Sequence, residues 1–219
     1  MIQGVIFDMD GTLLDTMYYW DKVWEEFLRN IGKQPEEGLG KKMLVYSMPE
    51  GAAYIQKRYG LGMTEEEILQ GVEDVIAKFY ADTAELKAGV RQFIEKLREH
   101  GIPMVLATST ARPHAEAAFR RLGVLDDFKC ILTSAEVGIG KTEPDIYLKA
   151  AEIMGSSPEH TWVFEDALHA AATAKRAGFN LVGIYDEMSI GLQYDLRDLS
   201  DHYILDFEDF DGFYQKAMK

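Results

Sequence analysis

The chain has 219 residues, enough to bury a hydrophobic core as one domain or as a core with a sizeable insertion. Its 37 acidic and 23 basic residues give a net charge of −14, so we expect neither nucleic acid nor an anionic membrane as a partner. Because a phosphorylated substrate would be repelled at long range, its site would need strong local cations, and a divalent metal is the obvious candidate.

A short apolar strand is predicted at residues 2–7. The run has little alternation between apolar and polar residues, which is typical of a strand covered on both faces, as in a parallel sheet. It stops at Asp8-Met-Asp-Gly-Thr, so Asp8 and Asp10 come at its carboxyl end. Gly11 indicates that the chain turns sharply there, which could direct both carboxylates at one centre.

Residues 16–85 have a helical pattern and no strand pattern. Apolar residues at helical spacing predict a helix within residues 17–31, and a second helix is predicted to begin near Pro49. A third begins at Thr64, because Thr64-Glu-Glu-Glu has the spacing of a capping box. We therefore expect a helical insertion between two segments of a core, of roughly half an ordinary domain's length.

From residue 90 onward, helices alternate with short apolar strands. The predicted strands cover residues 103–108, 129–133, 161–164, 181–185 and 203–205. The helices between them end at glycines, for example Gly101 and Gly123. This alternation implies right-handed crossovers and an α/β fold with a doubly wound parallel sheet.

Polar residues converge on one edge of this predicted sheet, where the carboxyl ends of the parallel strands meet and such folds place their chemistry. Asp8 and Thr108 stand where two apolar strands end, and Glu165 and Asp166 stand at the end of a third strand. Lys141 follows a fourth strand, in a glycine-rich loop. The pattern therefore predicts that these side chains meet in one site.

The predicted site has the groups needed for phosphoryl transfer. Asp8 can attack phosphorus, while Asp10 can protonate the leaving oxygen and later deprotonate water. Asp166 and the neighbouring Glu165 offer oxygen ligands of the kind that Mg²⁺ requires, completed by Asp8, a backbone carbonyl and waters. Lys141 and the Thr108 hydroxyl would hold the phosphoryl oxygens and offset their charge.

Each residue taken alone has a simpler interpretation. Asp-x-Asp-Gly also occurs in calcium loops, but those follow a helix and need further ligands over about 12 residues. Thr108 alone is an ordinary strand-end hydroxyl, Lys141 alone is a solvated lysine, and Glu165 with Asp166 can form a helix N-cap. The prediction depends on all of them meeting at one edge of one sheet.

Cys130 is the only cysteine, which fits a reducing compartment. The N-terminus lacks the pattern of a signal peptide, and no segment approaches about 20 uninterrupted apolar residues. We therefore expect a cytoplasmic protein with no membrane association, acting as a monomer or a weak dimer.

Four segments resemble, in order and spacing, the motifs of the haloacid dehalogenase superfamily. They are Asp8-Met-Asp-Gly-Thr-Leu-Leu-Asp-Thr, Ala107-Thr-Ser, Gly140-Lys-Thr-Glu-Pro-Asp and Val163-Phe-Glu-Asp. The helical insertion resembles the small cap of the β-phosphoglucomutase-like and phosphoglycolate phosphatase-like subgroup. The resemblance implies a Rossmann-like catalytic core at residues 1–15 and 86–219 and a helical cap at residues 16–85.

The resemblance implies roles that coincide with the chemical interpretation. Asp8 would be the nucleophile and Asp10 the general acid/base, with the Asp10 carbonyl on the metal. Thr108 and Lys141 would bind phosphate, and Ser109 would add its backbone amide. Asp166 would be a metal ligand, and Glu165 would lie in or just outside the coordination shell. The cap would close over the site and select the leaving group.

The chain departs from the family pattern at a few positions. Thr142 replaces a common proline in the third motif, and Ala167 replaces a common serine in the fourth. These changes leave the charges intact, so we expect activity to survive. In addition, β-phosphoglucomutases carry a cap histidine and a cap-loop arginine that grip a second phosphate. An ungapped comparison places Trp20 and Pro49 at those positions, which favours a phosphatase over a mutase.

The sequence therefore predicts a Mg²⁺-dependent phosphatase that hydrolyses a small phosphorylated sugar, polyol or organic acid through a phosphoaspartate on Asp8. A β-phosphoglucomutase-like phosphomutase is the first alternative. A non-catalytic signalling module is the second, because receiver domains also place acids, a threonine and a lysine at a sheet edge. Such modules lack an acid two residues after the phosphorylated aspartate and carry no helical lid.

Overall fold

The structure, a computed structural model, describes residues 1–219. The chain divides into two compact units. The core unit comprises Met1–Asp15 and Ala84–Lys219, and the helical unit comprises Thr16–Thr83. None of the helices is long and apolar enough to cross a membrane.

The core unit is built on one sheet of six parallel strands. The strands are β1 (Gly4–Phe7), β2 (Met104–Thr108), β3 (Cys130–Thr133), β4 (Thr161–Glu165), β5 (Asn180–Ile184) and β6 (His202–Ile204). Their order is β3-β2-β1-β4-β5-β6, so β1 lies between β2 and β4. The predicted doubly wound α/β sheet is confirmed. The strand order reverses at β1, which is where such sheets form a crevice at their carboxyl edge.

The helical unit contains five helices and no strand. They are α1 (Met17–Trp20), α2 (Val23–Asn30), α3 (Leu39–Met43), α4 (Met48–Tyr59) and α5 (Glu65–Asp82). The predicted start of α5 is confirmed: Thr64 Oγ1 accepts from Glu67 N, and Glu67 Oε2 accepts from Thr64 N. These two bonds satisfy backbone donors that the first turn of a helix leaves free.

The helix predicted within residues 17–31 is broken into two short helices, α1 and α2. A turn at residues 21–22 separates them, and α3 packs against it. The α-carbon of Gly40 approaches the Asp21 carbonyl so closely that any side chain there would collide with it. The apolar spacing was read correctly as helical, but the interruption depends on this tertiary contact.

Seven further helices belong to the core unit. They are α6 (Val90–Glu99), α7 (Arg112–Leu122), α8 (Ser134–Val137), α9 (Asp145–Met154), α10 (Leu168–Arg176), α11 (Gln193–Leu199) and α12 (Phe210–Ala217). Three short 3-10 turns lie at Leu125–Asp127, Pro158–His160 and Glu187–Leu192. The predicted glycine stops at Gly101 and Gly123 are confirmed, since both have positive φ after α6 and α7.

Both faces of the sheet are covered, as the apolar first strand predicted. On one face the ring of Phe164 packs against two others. Its centroid lies 4.6 Å from that of Phe7 and 5.5 Å from that of Phe93 on α6. On the other face Ile6 and Tyr147 belong to a buried cluster between the sheet and α9. Because side chains alternate along a strand, the two faces receive alternate residues of β1. The strand β1 is therefore buried on both faces, and its first polar side chain is that of Asp8 at its end.

Candidate active site

The end of β1 forms a tight reversal of the chain. Asp8 N donates to Phe164 O over 3.0 Å, which extends the pairing with β4 by one residue. Gly11 N then donates to Leu14 O over 2.9 Å, and the φ angle of Gly11 is 79°, a conformation that favours glycine. The turn predicted from Gly11 is therefore present, and Asp8 lies immediately before it with its side chain buried.

Lys141 lies in direct contact with Asp8. Its ammonium donates a hydrogen bond to Asp8 Oδ1 and a second to Glu165 Oε1, the latter over 2.7 Å. The lysine is 6% exposed, so the interpretation as a solvated loop lysine is wrong. Burial lowers the pKa of the Lys141 ammonium, but the two carboxylates outweigh that effect and raise it above its ordinary value. The group is therefore a permanent cation in the site.

Three buried carboxylates meet at this edge. One oxygen from each of Asp8, Glu165 and Asp166 lies within 4.8 Å of the others. Burial raises the pKa of Asp8 to about 6 despite the attraction of Lys141. Burial, with the negative charges of Asp8 and Glu165, raises the pKa of Asp166 well above its ordinary value. Thr12 Oγ1 fixes Asp166 by donating to its Oδ1 over 3.0 Å.

This carboxylate cluster fits a divalent metal ion. Three buried carboxylates lie around a single ammonium, that of Lys141, so negative charge exceeds positive charge there. A hard dication bound by oxygen ligands would supply the missing positive charge. The three carboxylates are suited to hold such an ion.

Glu165 is engaged on both of its oxygens. Oε1 accepts from Lys141 and from the Tyr147 hydroxyl, the latter over 3.1 Å. Oε2 accepts from Ala167 N over 3.1 Å, at the start of α10. The alternative of a simple helix N-cap therefore describes only part of its role, because Glu165 also orients Lys141.

The side chain of Asp10 points to the loop after β2. Its Oδ2 accepts a hydrogen bond from Thr110 Oγ1 over 2.7 Å. Thr110 N in turn donates to Thr108 Oγ1 over 3.0 Å, which fixes the loop at the strand end. Thr108 is buried, whereas Ser109 is exposed and its hydroxyl lies 3.3 Å from that of Ser134. The β1 and β2 ends are thus joined by the contact between Asp10 and Thr110.

The backbone that carries Lys141 is held from α10. The Thr142 carbonyl accepts a hydrogen bond from Thr173 Oγ1 over 3.2 Å and another from Arg176 over 3.3 Å. Thr173 is itself buried. These contacts brace the loop at the position where the family pattern commonly has proline.

The structure brings the sequence-predicted residues to one edge of one sheet. They are Asp8, Asp10, Thr108, Ser109, Lys141, Glu165 and Asp166. Sequence reasoning missed three hydroxyl groups that contact them. Thr12 stands two residues after Asp10 and Thr110 directly follows Ser109, and this closeness to predicted site residues is a usable signal. Tyr147 occupies an apolar position of α9 and gave no signal, because its spacing is that of a core residue.

The chain was compared with known proteins by sequence and by structure. The model of a family described as haloacid dehalogenase-like hydrolase matches residues 2–178. A (DL)-glycerol-3-phosphatase of Arabidopsis thaliana, isoform 2, is 31% identical over 95% of this chain and 89% of its own length. A phosphorylated carbohydrates phosphatase of Thermotoga maritima is 28% identical over 87% of this chain and 88% of its own.

The fold is shared with solved structures. The crystal structure of a Thermotoga maritima protein provisionally named a β-phosphoglucomutase has a TM-score of 0.86 and 26% identity, and 99% of each chain is covered. The similarity extends over the core unit and the helical unit alike.

Proposed function

We propose that this chain, which belongs to the haloacid dehalogenase-like hydrolase family and is an enzyme of that family, hydrolyses small phosphomonoesters with Asp8 as the nucleophile. The observation that carries the proposal is the contact between Asp8 and the buried ammonium of Lys141. With a pKa of about 6, the Asp8 carboxylate is mostly ionised at neutral pH and available to attack, and the Lys141 ammonium beside it can attract a phosphoryl oxygen.

In the first step, an oxygen of Asp8 bonds to phosphorus while the bond from phosphorus to the leaving oxygen breaks. Asp10 gives its proton to that oxygen, so the leaving group departs as an alcohol. In the second step, Asp10 takes a proton from water as the water oxygen bonds to phosphorus. The acyl phosphate bond breaks, inorganic phosphate leaves, and Asp8 and Asp10 return to their starting states.

Lys141 and the Thr108 hydroxyl are proposed to hold the phosphoryl oxygens, together with the Ser109 amide. Asp8, Asp166, Glu165 and the Asp10 carbonyl would hold Mg²⁺, which supplies further positive charge against the phosphoryl group when it is bound. The bond from Thr110 to Asp10 keeps the proton carrier oriented between the steps. The helical unit is proposed to act as a cap that excludes water and selects the leaving group.

A small phosphorylated sugar or polyol is the proposed substrate class. Relatives named for glycerol 3-phosphate and for phosphorylated carbohydrates support this class. The test is a phosphate-release screen over sugar, polyol, organic-acid and nucleoside phosphates with Mg²⁺. Asp8→Asn is the blank, and we expect it to lower turnover by at least about a thousandfold. Retained turnover in Asp8→Asn would show that another group is the nucleophile.

A phosphomutase is the second candidate, because a structural neighbour carries that provisional name. A mutase would return the phosphoryl group to a second position on a bisphosphate intermediate. Trp20 and Pro49 stand where the mutase pattern has a histidine and an arginine, which argues for water as the acceptor. Steady release of inorganic phosphate without a bisphosphate primer supports the phosphatase, and isomerised product that depends on the primer supports the mutase.

A further inference from the structure

Tyr147 lies on α9, and its side chain is fully buried. Its ring packs in the cluster between the sheet and α9, with Ile6, Val105 and Phe179 among its members. Every other buried member of that cluster is apolar. A phenylalanine would therefore serve the packing equally well, and the hydroxyl group requires a separate explanation.

The Tyr147 hydroxyl reaches into the active site. It donates a hydrogen bond to Glu165 Oε1 over 3.1 Å, and the same oxygen accepts from Lys141 over 2.7 Å. The hydroxyl acts as the donor, because an ionised carboxylate oxygen can only accept. With the bond from Ala167 N to Oε2, Glu165 is held from three directions.

Lys141 lies between two competing carboxylates. Its ammonium contacts Asp8 on one side and Glu165 on the other. In a buried site such attractions are strong, so the balance between them sets where the ammonium rests. The Tyr147 hydroxyl occupies one of the two lone pairs of Oε1 and thereby reduces the negative charge that this oxygen presents to Lys141.

We propose that Tyr147 is a positioning residue for Lys141: its hydroxyl fixes Glu165 and keeps the ammonium directed at Asp8 and at the phosphoryl group that Asp8 receives. The proposal rests on the proposed function of the site. Tyr147 acts through Glu165 and does not touch the substrate. Without the hydroxyl, Glu165 would attract Lys141 more strongly, and the ammonium would move away from the phosphoryl position.

Tyr147→Phe removes the hydroxyl and leaves the ring. We expect KM for the best substrate and the inhibition constant for inorganic phosphate each to rise about threefold to tenfold, and kcat to fall about tenfold. A purely structural role would reduce the folded fraction and hence kcat alone, because KM and the inhibition constant do not depend on that fraction. Unchanged KM and inhibition constant in a folded Tyr147→Phe would overturn the proposal.

Tyr203→Phe is the matched control. Its hydroxyl also makes a hydrogen bond, to Gln193 Oε1 over 2.5 Å, and it lies on β6 of the same unit, outside the carboxylate site. We expect Tyr203→Phe to keep the wild-type KM and inhibition constant. Equal kinetic changes in both variants would assign the effect of Tyr147→Phe to a general loss of stability and overturn the proposal.

A double-mutant cycle tests whether Tyr147 acts through Glu165. In a Glu165→Gln background the amide no longer competes for the ammonium as a carboxylate does, so Tyr147→Phe should weaken inorganic phosphate binding much less than in the wild type. The affinity is measured by calorimetry with inorganic phosphate and Mg²⁺, which requires no turnover. If the wild type releases no phosphate from any ester, the proposed function fails, while equal phosphate affinity of wild type and Tyr147→Phe refutes the role of Tyr147.

Discussion

The two units of the chain differ in whether they bury charged side chains. The core unit buries the side chains of Asp8, Lys141, Glu165 and Asp166, each less than 10% exposed. The helical unit buries no charged side chain, and its ion pairs lie at the surface. Burying charge is unfavourable unless it is compensated, so the core unit gives up stability that the helical unit keeps. These four buried charges lie together at the carboxylate cluster, which is the candidate active site.

The units also differ in how far along the chain their polar contacts reach. Lys141 and Asp8 are 133 residues apart in sequence, and Thr12 and Asp166 are 154 apart. In the helical unit the Glu36 carboxylate accepts hydrogen bonds from Lys42, Tyr54 and Arg58, which lie no more than 22 residues away in sequence. Local contacts can stabilise a unit of helices, whereas the carboxylate cluster depends on the sheet, which brings distant strand ends together.

Replacing Lys141 by methionine gives the largest expected effect on stability. The substitution conserves the volume of the side chain and leaves three buried carboxylates without their cation. We expect the free energy of unfolding to fall by about 3–5 kcal/mol in EDTA, and by less with Mg²⁺. Chemical denaturation at pH 7 measures both values.

Lys42→Met in the helical unit is the matched control, because Lys42 forms an ion pair with Glu36 at the surface. Its unfolding free energy should stay within the error of the measurement. Equal losses in Lys141→Met and Lys42→Met would contradict the comparison between buried and exposed charge.

The pH dependence of stability gives the next largest effect. Burial raises the pKa of Asp8 from 3.8 to about 6, so between these values the folded protein binds more protons than the unfolded chain. The stabilisation from this group is therefore present below about pH 4 and is lost as the pH rises through 6. Without metal, the free energy of unfolding of the wild type should fall by up to about 3 kcal/mol relative to that of Asp8→Asn as the pH rises from about 4 to 6.

For Glu36 in the helical unit we expect the opposite dependence of stability on pH. Hydrogen bonds from Tyr54, Lys42 and Arg58 lower its pKa to about 2, so its stabilisation is present above 4.5 and is lost as the pH falls toward 2. Because Glu36 is solvent-accessible, screening makes this effect small. Unfolding curves of wild type, Asp8→Asn and Glu36→Gln at matched pH separate the contribution of Asp8 from that of Glu36. Parallel curves for wild type and Asp8→Asn between pH 4 and 6 would contradict the assignment to Asp8.

The fold was predictable because its signals are local. Apolar runs bounded by glycines define the strands and helices of the core unit, and a parallel sheet then forces the polar strand ends to one edge. Asp8, Thr108, Lys141 and Asp166 could be assigned to that edge without any contact being known. The short helices α3, α8 and α11 were not predicted, because so few turns carry little readable periodicity. The helix α12 was also missed, although Phe210, Phe213 and Ala217 lie at helical spacing.

The fine structure of the site was not predictable in the same way. Tyr147 belongs to an apolar cluster, and the sequence does not reveal that its hydroxyl lies within reach of Glu165. The contact of Thr110 with Asp10 likewise depends on how the turn at Gly11 orients the acid. Such contacts are set by tertiary geometry, which propensity and periodicity do not encode.

The smallest expected effect tests whether the helical unit is stabilised by local contacts. Thr64→Ala removes the hydroxyl that accepts from Glu67 N at the start of α5 and should lower the free energy of unfolding by about 1 kcal/mol. Thr64→Ser keeps the acceptor oxygen and should change it little. Neither variant should alter the gain in melting temperature on adding Mg²⁺, because the carboxylates lie in the core unit. A reduced gain in Thr64→Ala alone would mean that the capping box supports the metal site, which would contradict the division of roles between the two units.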